Sequence, residues 1–277
     1  QSLHMRFSLC CFLQTALAEV VLDLDELHQR TGRWRCLTEH LQQPLLDALE
    51  TNYTGLGWST DFVAPLLGNL SGCQELILNR MEPKWLRPLA FGLGAYCSGA
   101  PSQPLQLIDL DGSQIGDDGM VTLAPALAAC TSIKALHALN NRLSDIGVSA
   151  LARAFRSHSN LRLLDLGGNS IGDAGTLDLG QFLLKDNHLG LPLTPGPLAD
   201  LRLHDNRIGP LGLANLAHSI QFSQLRLNSL MLDGNPIGDE GLIALAHAVR
   251  NRPTEATPSE LRRLGLVSCN ISDVGVR

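Results

Sequence analysis

Leu161-Arg-Leu-Leu164-Asp-Leu166-Gly-Gly-Asn169-Ser-Ile171-Gly-Asp173-Ala-Gly175 decides how this chain folds. Counting Leu161 as position 1, apolar residues stand at positions 1, 4, 6 and 11, Asn at 9, Asp at 13 and Gly at 15. The same frame recurs from Leu105, Ile133, Leu198, Leu227 and Leu261. The six starts lie 28, 28, 37, 29 and 34 residues apart. A fixed period of this kind is the mark of a repeat array and takes precedence over any local reading. Upstream the pattern fades. Cys73 with Leu76 and Leu78 makes a weaker unit, and those near Leu46 and Glu19 are poorer still.

Each position has a physical meaning. Positions 4 and 6 alternate with polar neighbours, as in a short strand buried on one face. Apolar residues near 15–16, 19 and 23 have helical spacing. Each unit is thus strand, turn and helix, and buries both its faces only when neighbours stack on it. Parallel strands sit about 4.8 Å apart, whereas packed helices need about 8–10 Å. The strands therefore line the inside of an arc and the helices its outside. The expected fold is an α/β horseshoe solenoid with strands near 107–110, 135–138, 163–166, 200–203, 229–232 and 263–266. Residues 105–277 form its regular part, ending within the last repeat. Residues 1–104 hold an N-terminal helix and degenerate repeats.

The form LxxLxLxxNxIGDxGxxxLAxxL resembles the ribonuclease-inhibitor-type leucine-rich repeat. That type also occurs in intracellular nucleotide-binding receptors and in the Ran GTPase-activating protein. The resemblance implies a recognition scaffold of cytosolic type that binds a protein partner and has no catalysis of its own. Its alternative is a GTPase activator resembling the Ran-specific one, although no residue of that family's activating site can be matched here. The motif residues that carry the resemblance are those that build the solenoid.

Composition agrees. Of 277 residues 44% are hydrophobic and only 17% charged, which excludes a disordered chain. Leucine alone accounts for 56 residues against 12 aromatics, as expected of one packing environment used repeatedly. The net charge of −6 argues against general nucleic-acid binding, which needs a basic footprint. No apolar run reaches the roughly 18 residues of a membrane helix. Met5–Ala18 reads as an amphipathic helix rather than a signal segment, through Leu3, Phe7, Cys10, Leu13 and Leu17. The seven cysteines are odd in number and scattered, which predicts reduced, buried thiols and a cytoplasmic setting. The sequons at Asn52, Asn69 and Asn270 read as chance.

Motif positions first receive structural duties. Asn141, Asn169, Asn206 and Asn235 are expected to satisfy backbone groups where each strand turns away. Asp117, Asp145, Asp173, Asp239 and Asp273 are expected to cap the helices they begin, with no metal or cofactor site. His218 and His247 fall on adjacent outer helices at a spacing too wide for one zinc ion. No Walker loop, HExxH, GxSxG or CxxC occurs.

Two surfaces remain for a partner. The concave face carries Asp109, Asp111, His137 and Asp165, then Arg202 and His204 as a boundary of opposite or pH-dependent sign, then Asp233. Its crowded carboxylates predict a partner with a basic patch. The rim carries proline-rich insertions near 97–104, 184–197 and 250–260, of which 184–197 is expected to flank the contact. Leu264, Leu266 and Val249 are expected to expose apolar surface at the end of the array.

Overall fold

The computed structural model describes residues 74–78, 83, 86–99, 105–184, 198–222, 227–251 and 261–273. The Met5–Ala18 helix, the units near Glu19 and Leu46, and most of the three proline-rich insertions lie outside them.

Seven short parallel strands make one open sheet in strict chain order. They are β1 (Glu75–Ile77), β2 (Leu107–Asp109), β3 (Ala135–His137), β4 (Leu163–Asp165), β5 (Asp200–Arg202), β6 (Ser229–Met231) and β7 (Arg263–Gly265). Between them run α1 (Leu86–Gly99), α2 (Gly116–Ala129), α3 (Asp145–Ala154), α4 (Asp173–Leu184), α5 (Pro210–Phe222) and α6 (Gly238–Arg250). This is the α/β leucine-rich solenoid that the period implies, and the weak unit at Cys73 proves to carry a strand. Register is exact along the array: Leu76, Ile108, Leu136, Leu164, Leu201, Leu230 and Leu264 are successive partners. All but the last are buried. At the far edge Leu264 and Val267 are exposed, while Leu266 and Val249 are half-buried.

The position-9 asparagines tie neighbouring repeats together. Asn169 Nδ2 donates to Leu166 O and Gly167 O of its own repeat and to Ala138 O of the preceding one. Its Oδ1 accepts from Asn141 N and Leu143 N, both at 3.0 Å. Asn206 and Asn235 likewise take the N–H of Ile171 and Ile208. Ser113 and Cys269 keep the donor half, to Leu78 O and Leu232 O.

The aspartates differ from expectation. Asp117, Asp145 and Asp239 do not hold the N-cap position of their own helices, which falls to Ile115, Ser144 and Ile237; they and Asp173 lie at or just inside the helix start and serve the next repeat. Asp117 Oδ1 accepts from Ser144 N at 2.8 Å and Gly147 N at 2.9 Å, and its Oδ2 accepts from Ser144 Oγ. Asp145, Asp173 and Asp239 accept from Gly172 N, Gly209 N and Ser272 N. The physical reason is stacking. A carboxylate leaving the first helical turn faces the free N–H groups of the adjacent helix start. Asp273 holds the same position in the last described repeat and is exposed.

The cysteines bring a second correction. Cys97, near the end of α1, and Cys130, just after α2, form a disulfide between successive repeats. Both are buried, and stacking places the two helix ends side by side, a proximity invisible in a 33-residue separation. Cys269 is a free buried thiol. The thiol basis for a cytosolic setting is thereby removed for this pair.

Candidate interaction face

Strand alternation turns positions 3, 5 and 7 toward the concave side. The position-5 row runs Asp109, His137, Asp165, Arg202, Met231 and Gly265 as direct register partners. The sheet therefore does bring the predicted residues together, one strand apart. It does not leave them equally available.

Asp165 is the clearest departure. Its side chain is only 6% exposed, and its Oδ1 accepts from Gly167 N. Arg202 on the adjacent strand reaches Asp165 Oδ2 at 3.4 Å. The same guanidinium reaches Asp200 Oδ2 at 3.2 Å, and Arg263 approaches that oxygen from two strands away at 3.5 Å. Hydrogen bonding to Asp200, and secondarily the Asp165 charge, holds the Arg202 guanidinium more firmly protonated than usual, against the opposing effect of burial. Arg202 is thus a counter-ion inside the face rather than a boundary of it. Asp200 is the member that row-by-row reading missed, because it stands at position 3 and not 5 or 7. The hydroxyl of Ser229, at position 3 on β6 between Asp200 and Arg263, is buried without a partner.

His204 has a packing duty. Its ring lies over Gly167, where any Cβ would collide with it. Asp233 Oδ1 accepts from Val267 N, and Asp111 Oδ1 accepts from Leu139 N, so both position-7 carboxylates bridge to the next repeat. What remains of the predicted cluster is Asp109, Asp111 and His137, all half-buried. Burial is the main cause that raises the Asp111 carboxyl above its usual pKa. The Leu139 N–H opposes this, the Asp109 and Asp165 charges add to it, and His137 opposes it again.

The described residues hold no group of three or more His, Cys, Asp or Glu able to bind a metal. His218 and His247 are exposed on their helices. None of the described helices is long and apolar enough to cross a membrane.

Three segments, residues 102–124, 157–180 and 227–246, match the family described as Leucine Rich repeat. No curated protein is detectably similar in sequence. Among solved structures, the chain is similar to an internalin (inlF) from Listeria monocytogenes str. 4b F2365. That likeness has 20% identity and a TM-score of 0.37, and it covers 78% of this chain and 60% of the internalin.

Proposed function

We infer that this array of leucine-rich repeats is a protein-recognition scaffold without chemistry of its own, and that its partner docks on the concave face through a basic patch. The observation that carries the reading is the Asp109–Asp111–His137 cluster. Two carboxylates share a half-buried corner, and one is pushed toward protonation by burial and by its neighbours. The charge of an arriving cation favours the ionised form against both effects, so the corner suits a Lys or Arg of the partner. The repeats are assigned to the ribonuclease-inhibitor type. Helices of 10–14 residues in each unit and a period near 28 support that subtype.

Chemical cross-linking of the whole chain in its native extract identifies the partner, and titration against that partner tests the face. Asp109→Asn with Asp111→Asn is expected to weaken binding about tenfold and to flatten its salt dependence. Unchanged affinity and unchanged salt dependence would show a face that is only solvated.

A further inference from the structure

We propose that a second surface, the cationic edge formed by Lys134, Arg162, Arg262 and Arg263 where each strand begins, binds an extended acidic segment of a protein partner. Acids and bases fare differently in this molecule. Asp117, Asp145, Asp173, Asp233 and Asp239 each accept a backbone N–H of the next repeat. Their charge is absorbed into the scaffold. Of the bases at the strand starts, only Arg263 meets a carboxylate among the described residues. Lys134, Arg162, Arg262 and Arg263 are all exposed. Among the described residues Lys134 meets the neutral Gln106 amide alone, and Arg263 shares Asp200 with Arg202. Arg162 and Arg262 meet no carboxylate among the described residues.

Lys134, Arg162 and Arg262 stand on one line, and Arg263 adjoins it at position 3. Position 2 reads Gln106, Lys134, Arg162, Ala199, Asn228, Arg262, each linked to the next by a backbone N–H···O=C bond. The line contains no acid, in a chain whose net charge is −6. Helix dipoles explain basic residues at helix ends, such as Arg153 and Arg250, but Lys134, Arg162 and Arg262 precede strands, Arg263 begins one, and all four lie beyond that effect. Ala199 and Asn228 leave a neutral gap between two basic pairs. From β3 to β7 there are four strand steps of about 4.8 Å, or about 19 Å, the reach of about six residues of extended chain. An acidic strand-like segment laid along this edge therefore meets Lys134 and Arg162 at one end and Arg262 and Arg263 at the other. Planar guanidinium groups suit carboxylates, which they hold in pairs of hydrogen bonds.

The test uses the whole chain and a fluorescein-labelled octaglutamate peptide, followed by anisotropy against salt concentration. Expected is saturable, salt-sensitive binding that weakens about tenfold or more in Arg162→Glu with Arg262→Glu. The milder pair Lys134→Gln with Arg263→Gln is expected to weaken it by a smaller factor while leaving the urea midpoint unchanged. Asp109→Asn with Asp111→Asn is expected to leave peptide affinity within about twofold, which separates this edge from the concave corner. Absence of binding, indifference to both edge variants, or tighter binding of an eight-nucleotide oligo-dT than of the peptide would overturn the proposal.

Discussion

Pro210 and Gly238 occupy consecutive strand-to-helix corners, and the missing carboxylate at the first accompanies a left-handed backbone at the second. At four corners an aspartate lies one repeat behind, and the corner N–H donates to it: Ser144 to Asp117, Gly172 to Asp145, Gly209 to Asp173 and Ser272 to Asp239. Gly238 has Pro210 behind it, and its N–H turns instead to Cys269 O with φ +65°. Gly116, with Trp85 at the equivalent sequence position one unit behind, does the same toward Asn141 O with φ +62°. A corner N–H must find an acceptor, and where the carboxylate is absent the chain twists to reach a carbonyl in the next repeat.

Gly238→Ala is therefore expected to cost about 1 kcal/mol through its positive φ alone, because its Cβ meets nothing closer than 3.9 Å. Gly172→Ala, with no positive φ, is expected to cost less. Adding Pro210→Asp to Gly238→Ala restores an acceptor, and the pair is expected to be more stable than the sum of the single changes. Urea unfolding of the four variants measures this coupling.

Asn169→Ala is expected to destabilise by about 3–5 kcal/mol, since it strands two N–H donors and three carbonyls at a buried position. Equilibrium unfolding reads the loss. A change under about 1 kcal/mol would mean that water replaces the amide.

Asp111 gives stability a pH dependence. Its folded pKa is raised, so the folded state binds its proton more tightly than the unfolded chain. The contribution is present in full below the ordinary carboxylate value of 3.8 and is lost as pH rises through the folded value. Asp111→Asn keeps an oxygen for the Leu139 N–H but cannot ionise. Relative to the natural residue, the variant is expected to be more stable at pH 7 than at pH 3. Urea midpoints at both pH values test the sign.

The Cys97–Cys130 bond closes a 33-residue separation across two repeats. Peptide mapping without reductant is expected to recover the two cysteines in one linked peptide. Reduction is expected to lower stability by about 2–4 kcal/mol. Cys269, whose thiol pKa burial raises, is expected to react with an alkylating agent only after unfolding. Free Cys97 in the native protein would return the pair to the reduced state that its spacing implies.

What sequence alone determined is the periodic part. Leu164, Leu166, Ile171 and Asn169 recur at fixed places in each unit because each repeat meets the same neighbour, so strand positions, stacking order and a backbone-satisfying duty for the asparagines were legible without coordinates. Contacts between repeats were not. That Asp117 serves Ser144 rather than its own helix, that Arg202 neutralises Asp165, and that Cys97 meets Cys130 all depend on which side chains face each other across one step of the stack. Residues about 28 positions apart become neighbours only after strands and helices are laid side by side, and a period in one chain does not say which of two adjacent N–H groups a carboxylate will face. The same limit governs the candidate site. The position-5 row was readable as a list of charges, whereas burial and pairing decided which of those charges remain for a partner.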